Sequence, residues 1–227
     1  EISDMRSKMF LLAGGPGGSK KTAEQLKEAL SCCETVHPKV AYIGTASGDA
    51  IPFMHWFERP LEKAGAESVT MVPLCGTKRN ILQAKELLTH SDVIFISGGE
   101  VEDGTQGLDI EIRTMLSELL EEGKLFIGLS AGSIMLGRAW PHWEDEDHHP
   151  EDASLFDCLG FAHPIFDTHA ESEGWPELQK AVELEPEGFT GYGIPAGEMA
   201  VIDEHGDLIP NDHLVTCVNE NGTAKLK

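Results

Sequence analysis

Short apolar runs alternate with amphipathic segments over the first 140 residues of the chain. Five runs have the length and composition of buried strands, and they read KMFLLA, KVAYIG, SVTMVP, DVIFIS and KLFIGL. The segments KKTAEQLKEALSCC, PFMHWFERPLEKAG, NILQAKELLTH and IEIRTMLSELLEEG lie between them and have apolar residues at helical spacing. This alternation is typical of a mostly parallel sheet covered by helices on both faces. We therefore predict a three-layer, doubly wound α/β fold.

The pattern changes after Trp140. The segment PHWEDEDHHPEDASLFD is polar, acidic and bounded by prolines, which predicts a long surface loop. Beyond it the pattern indicates a helix near WPELQKAV and strands at TGYGI, MAVI and LVTCV. The turn signal DEHGD predicts that the last two strands form a hairpin at the edge of the sheet. Without a linker or an internal repeat, residues 1–227 are expected to form a single domain.

Charge and cysteine content narrow the range of partners. The net charge is −22, from 39 acidic and 17 basic side chains, so we expect no nucleic-acid partner. The five cysteines are odd in number and contain no C-x-x-C pair, which favours reduced thiols in a cytoplasmic protein. The apolar stretch MFLLAGG is too short for a secretion signal or a membrane span, so we expect no membrane partner.

Three glycine-containing loops follow predicted strands at the edge where open α/β sheets bind ligands. The first, AGGPGGS, fits neither phosphate-binding glycine pattern and predicts a tight turn. The second is SGGE and the third is GLSAGS. Within the third, Gly128 to Gly132 fit G-x-S-x-G, in which small residues let a strained turn raise a serine hydroxyl above the sheet. The pattern favours Ser130 as a nucleophile over a purely structural turn.

A nucleophilic serine needs a base and preformed hydrogen-bond donors for the oxyanion. The backbone N–H of Ala131 and the Gly98–Gly99 loop are candidate donors, since glycine lets a backbone N–H approach a substrate closely. Ten histidines compete for the role of base, and the residues alone leave His169 and His163 as equal alternatives. The acidic segment HWEDEDHHPED could collect a divalent cation, but we predict no functional metal there.

Four segments together carry a family resemblance: FISGGE (95–100), IGLSAGSIML (127–136), LGFAHPIFDTH (159–169) and GYGI (191–194). They resemble the dipeptidase E and cyanophycinase family of serine peptidases, whose fold is similar to that of class I glutamine amidotransferases. The resemblance implies Ser130 as nucleophile and His169 as base, with Gly98, Gly99 and Ala131 forming the oxyanion hole. It also implies a small peptide or amide substrate and no cofactor.

The resemblance leaves the third member of the triad open. Cyanophycinase-like members place an acidic residue soon after the glycine-isoleucine pair, where this chain has Ala196. Glu198 stands two residues later and would share a face with that position in an extended segment, so we predict it as the acid. Dipeptidase-like members instead use an aspartate from the loop after the nucleophile helix, which makes Asp145 and Asp147 the alternatives.

Charge also bears on the substrate. The stretch from Ala139 to Ala224 carries twenty acidic side chains and the single cation Lys180, whereas an aspartyl substrate needs a cation. A basic residue of the first half could still reach the pocket: Lys20, Arg79 or Arg113. We therefore expect neutral or cationic amides to be cleaved faster than aspartyl dipeptides.

Two functional classes remain. We favour a serine-type peptidase that acts through an acyl-enzyme, and the alternative is a catalytically silent binding domain that keeps the amidotransferase-like fold. The predicted edge hairpin could pair with a second copy, which leaves a homodimer as a further expectation.

Overall fold

The computed structural model describes residues 6–15, 19–144 and 149–227. The described strands are β1 (Met9–Leu12), β2 (Lys39–Ile43), β3 (Ser68–Met71), β4 (Val93–Ile96), β5 (Leu125–Leu129), β6 (Ala139–Trp143), β7 (Ala153–Asp157), β8 (Ile165–Thr168), β9 (Thr190–Ile194), β10 (Met199–Ile202), β11 (Val215–Glu220) and β12 (Thr223–Leu226). The five strands predicted from the first 140 residues are confirmed as β1 to β5. Each of them is short; β1, β2, β4 and β5 are largely buried, as the apolar runs indicated, whereas β3 at the edge of the sheet is only partly buried.

The described α-helices are α1 (Ser19–Ser31), α2 (Ile51–Ala64), α3 (Ile81–His90), α4 (Val101–Gln106), α5 (Ile110–Glu121), α6 (Ala131–Leu136) and α7 (Pro176–Glu183). The periodic segments correctly predicted α1, α2, α3, α5 and α7, while α4 lacks a periodic pattern because it has only six residues. Within the described ranges, every helix is too short or too polar to cross a bilayer.

The central sheet has the strand order β10-β1-β5-β4-β2-β3. Strands β1 to β5 are parallel to one another, and only β10 runs antiparallel, against β1. The carboxyl ends of the five parallel strands therefore meet along one edge, which brings the loops after β1, β4 and β5 together.

Helices cover both faces of this sheet. On one face, Leu26 of α1 and Leu61 of α2 pack against sheet residues that include Phe95. On the other face, Leu88 of α3 and Leu116 of α5 belong to a second apolar cluster. The side chains named on both faces are at most 2% exposed to solvent, so helices bury apolar residues on both faces of the sheet. The prediction of three layers is confirmed.

A second sheet of order β12-β11-β9-β8 extends the molecule beyond the central sheet. Strands β8 and β9 are parallel, whereas β9, β11 and β12 pair antiparallel. Helix α7 packs on this sheet through Leu178 and Val182, which are fully buried. His169, the residue after β8, lies at the edge of the central sheet where β5 ends.

The predicted hairpin between MAVI and LVTCV is wrong. MAVI forms β10 and pairs with β1, while LVTCV lies in β11 and pairs with β9 and β12. Strand β1 is fully buried and needs a partner on its outer edge, and β10 supplies those hydrogen bonds. The C-terminal hairpin is instead formed by β11 and β12.

The prediction of an irregular loop after Trp140 is also wrong for part of that segment. Strands β6 and β7 pair antiparallel, with Trp140 opposite Phe156. Both rings are partly buried against the central core. The free energy gained by burying them favours two strands here, although the sequence between them is polar.

Candidate active site

Ser130 occupies a tight turn between β5 and α6. Its backbone has φ 52° and ψ −120°, a conformation that non-glycine residues rarely adopt and that costs about 1–3 kcal/mol. The Ser130 N–H donates to the carbonyl of Leu12 at 2.9 Å, and the Ser133 hydroxyl donates to the same carbonyl at 2.8 Å. The end of β1 therefore holds the strained turn in place.

The two glycines around Ser130 are required by close packing. A Cβ at Gly132 would lie 1.9 Å from the carbonyl oxygen of Ile96, and one at Gly128 would lie 2.7 Å from Ser133 Cα. Neither distance is compatible with a side chain. The G-x-S-x-G spacing thus lets the start of α6 pack directly on the ends of β4 and β5.

His169 is the histidine that contacts the serine. Its Nε2 lies 2.8 Å from Ser130 Oγ, and its backbone N–H donates to the carbonyl of Ile194 at 2.9 Å. His163 instead pairs with Asp207 at 2.9 Å, and its side chain is 62% exposed. Of the two histidines left open by the residues alone, the structure therefore brings only His169 to Ser130.

Glu198 is hydrogen-bonded to a lysine rather than to the imidazole. Its carboxylate accepts a hydrogen bond from Lys21 Nζ at 2.8 Å, and no hydrogen bond joins it to His169. The prediction that Glu198 orients the base is therefore corrected: it forms a rim ion pair with α1. The alternative acids, Asp145 and Asp147, lie outside the described residues. Within the described ranges no carboxylate hydrogen-bonds His169.

Sequence reasoning missed a carboxylate close to this position. Glu171 accepts the backbone N–H of Ala196 at 3.1 Å, the position where the family resemblance led us to expect an acid. His169 and Ala196 also approach each other across Gly15, since a Cβ at Gly15 would lie 3.1 Å and 3.2 Å from their Cβ atoms. Glu171 therefore ties the segment after β9 to the segment that carries the histidine. The sequence signal that could have pointed to Glu171 is its position two residues after His169.

The loop after β4 is positioned by buried polar contacts. Tyr42 donates its hydroxyl to Ser97, whose own N–H donates to the carbonyl of Ile43 at 3.0 Å. Burial raises the pKa of Tyr42 to about 12, so its hydroxyl remains a donor over the physiological range. The sequence carried no signal for this bond, which joins side chains 55 residues apart.

The glycines of that loop lie beside Ser130. A Cβ at Gly98 would lie 3.7 Å from Ser130 Oγ. Gly99 has φ 138°, and a Cβ there would lie 2.0 Å from the carbonyl oxygen of Ala46, so only glycine fits. Ala131 begins α6, and its N–H is one of the first-turn donors that lack a partner within the helix. Gly98 and Ala131 thus adjoin Ser130, and Gly99 lines the same cavity.

A cavity of about 330 Å³ adjoins this site, and its described lining includes Ser130, both loop glycines and several aromatic side chains of α2. None of the described lining residues is charged. Arg79 pairs with Asp109, and Arg113 donates to backbone carbonyls of the α4–α5 region. Lys20 lines a neighbouring groove between α1 and α2 rather than this cavity. The three cations considered from the sequence therefore lie elsewhere.

Comparisons with known proteins agree with this architecture. The chain matches the sequence model of peptidase family S51 over residues 9–209, whereas no curated protein matches it. A crystal structure of a peptidase from an acI-B1 Actinobacterium has a TM-score of 0.69 at 14% identity and covers 98% of this chain and 94% of that one. A provisionally assigned peptidase E protein from Listeria monocytogenes EGD-e has a TM-score of 0.63 at 18% identity, over 95% of this chain and 100% of that one. Because the family match spans most of its length, the chain belongs to peptidase family S51, the dipeptidase E family of serine-type peptidases.

Proposed function

We propose that the chain hydrolyses an amide bond of a small peptide through an acyl-enzyme on Ser130. The observation that carries the proposal is the 2.8 Å contact between Ser130 Oγ and His169 Nε2 at a strained turn. A serine hydroxyl is a weak nucleophile unless a base is within hydrogen-bond reach, and the imidazole meets that condition. No cofactor is needed for this chemistry.

In the acylation step, Ser130 Oγ attacks the scissile carbonyl carbon while His169 Nε2 accepts the hydroxyl proton. The negative charge that develops on the carbonyl oxygen is stabilised by the N–H groups of Gly98, Gly99 and Ala131. The C–N bond then breaks, and the imidazolium gives its proton to the departing amine. The position of Gly98 and Ala131 beside Ser130 supports this assignment.

In the deacylation step, water occupies the place that the amine has left. His169 accepts a proton from this water, which attacks the ester carbonyl, and then returns the proton to Ser130 Oγ. The products are an acid and a free amine, and the enzyme returns to its starting state. The same imidazole therefore serves both half-reactions.

A silent binding domain is the second candidate, and the observation that favours it is the lack of a described carboxylate on His169. An imidazole without an acid can adopt the wrong tautomer. In a serine protease whose triad aspartate is replaced by asparagine, this lowers kcat by about ten-thousand-fold. A domain with such a site could retain binding without useful turnover.

Labelling with a fluorophosphonate separates the two candidates. We expect covalent labelling of the wild-type protein at Ser130 and none of Ser130→Ala, because only a base-assisted serine reacts at an appreciable rate. Intact-mass spectrometry and peptide mapping give the stoichiometry and the position. Equal labelling of both proteins, or of neither, would refute the hydrolase proposal and favour the binding domain.

A further inference from the structure

The cavity beside Ser130 has a wall of apolar side chains contributed by α2. These side chains are Phe53, Trp56, Phe57 and Pro60. The described lining also includes the Gly98–Gly99 loop and Ser130. An apolar cavity of about 150 Å³ is enough to bind benzene. At about 330 Å³, this cavity has room for an aromatic ring together with the main chain that carries it.

The aromatic wall is held in place by contacts between rings. The Phe53 ring centroid lies 5.3 Å from that of Trp56 and 5.8 Å from that of Phe57. Phe57 in turn lies 6.0 Å from Phe95, which is fully buried in the central sheet. Edge-to-face and tilted contacts at these distances are favourable. The wall is therefore supported by the core and is preorganised to receive an apolar group.

Trp56 leaves much of its surface to water. Its relative exposure is 69%, although it stands next to a cavity that leads to the serine. Large exposed apolar surfaces that line a cavity are typical of binding sites. An apolar group that enters the cavity would cover part of the indole and recover that exposed area.

The same cavity is unsuited to a carboxylate. Its described lining has no charged side chain, so an aspartate there would lose water without gaining a cation. Of the basic residues next to the lining residues in the chain, Lys21 pairs with Glu198, while Arg59 lines the neighbouring groove between α1 and α2 together with Lys20. An acidic side chain is thus disfavoured relative to an apolar one of similar size.

The position of His169 decides which side of the scissile bond enters the cavity. The imidazole must reach the departing amine to give it a proton, so the amine side of the substrate lies next to His169. The described lining of the cavity contains Ser130 and both loop glycines, the proposed donors to the acyl carbonyl oxygen, whereas the imidazole only adjoins it at Gly15. We therefore assign the cavity to the acyl side of the substrate.

We propose that this enzyme selects substrates with a large apolar side chain, aromatic in preference, on the acyl side of the scissile amide. The proposal rests on the acyl-enzyme function of Ser130 described above. Burying a phenylalanine-sized side chain contributes about ten- to a hundred-fold to kcat/KM over a small side chain.

The first test is the hydrolysis of four dipeptides: Phe-Ala, Ala-Ala, Asp-Ala and Ala-Phe. We expect Phe-Ala to be cleaved with a kcat/KM at least about ten-fold above the other three. Fastest cleavage of Asp-Ala would overturn the apolar preference. Faster cleavage of Ala-Phe than of Phe-Ala would overturn the assignment of the cavity to the acyl side.

The second test uses the exposed indole, whose replacement leaves the core intact. Trp56→Ala should lower the ratio of Phe-Ala to Ala-Ala cleavage by about five-fold or more, because part of the apolar wall is lost. Trp56→Arg should also narrow the gap between Phe-Ala and Asp-Ala, since it supplies a cation. Leu82→Arg is the matched control, because Leu82 is 81% exposed on α3, across the sheet. Equal effects of Trp56→Ala on all dipeptides would contradict the proposal.

The third test measures binding without chemistry, so that it stands even if Ser130 proves unreactive. The probes are N-acetyl-phenylalaninamide and N-acetyl-aspartamide, titrated calorimetrically into the Ser130→Ala protein. We expect the phenylalanine probe to bind at least about ten-fold more tightly, and Trp56→Ala in the same background to remove most of the difference. Similar affinities for the two probes would refute the apolar site. Absent fluorophosphonate labelling with a clear binding difference would refute only the hydrolase proposal.

Discussion

Asp167 lies two residues before the proposed base, and its protonation provides a quantitative test of its burial in the second sheet. Its side chain is 4% exposed within β8. One carboxylate oxygen accepts the N–H of Thr168 at 2.7 Å, and the other has no hydrogen-bond partner in the described part of the chain. Burial is the largest cause that raises the pKa of Asp167 to about 7; the nearby carboxylates of Glu177 and Glu173 contribute in the same direction, against backbone hydrogen bonds that lower it.

The sign of the effect follows from which state holds the proton. Above the ordinary aspartate pKa of 3.8 the unfolded chain has released it, whereas the folded protein retains it until the pH approaches about 7. The unfolded state binds fewer protons in this window, so the free energy of unfolding falls as the pH rises. The free energy of unfolding falls by about 1.4 kcal/mol for each pH unit below the folded-state pKa, so its decrease between about pH 5 and pH 8 is about 3 kcal/mol.

Asp167→Asn removes this titration while keeping the shape of the side chain. We expect the difference in unfolding free energy between the variant and the wild type to shift by about 3 kcal/mol in favour of the variant from pH 5 to pH 8. Urea unfolding followed by circular dichroism at both pH values measures the shift, and other titrating groups cancel in the comparison. A difference that is the same at both pH values would refute the reasoning.

The remaining predictions concern the proposed catalytic residues and their support. His169→Ala should lower kcat by about a hundred- to ten-thousand-fold with the fold intact, whereas His163→Ala, at an exposed site, should retain wild-type rates in the same dipeptide assay. Glu198→Gln should change kcat less than about ten-fold, because the carboxylate pairs with Lys21; a loss as large as that of His169→Ala would restore it as the orienting acid. Gly132→Ala should destabilise the fold by about 1–3 kcal/mol or more and weaken fluorophosphonate labelling, because its Cβ would overlap the β4 carbonyl; thermal unfolding and labelling at wild-type levels would contradict this.

The hydrophobic pattern predicted strands β1 to β5 correctly because the signal that marks each strand or helix lies within a short stretch of the sequence. A buried parallel strand reads as a continuous apolar run, and a covering helix shows its spacing within a few turns. The pattern predicted β10 as a strand but gave it the wrong partner, because its true partner β1 lies some 190 residues away in the chain. It also failed for β6 and β7, because the polar residues of this segment predicted a loop, whereas the pairing of Trp140 with Phe156 buries apolar surface.

The sequence by itself determined the turn around Ser130, since the requirement for small residues at Gly128 and Gly132 is local and steric. The residues alone left His163 and His169 as equal alternatives, and the family resemblance implied His169; the tertiary structure brings the His169 imidazole to Ser130 and pairs His163 with Asp207. It also separated Glu198 from the imidazole and gave its carboxylate to Lys21. These outcomes depend on side chains 39 to 177 residues apart, whose approach is set by the packing of two sheets and not by any local pattern.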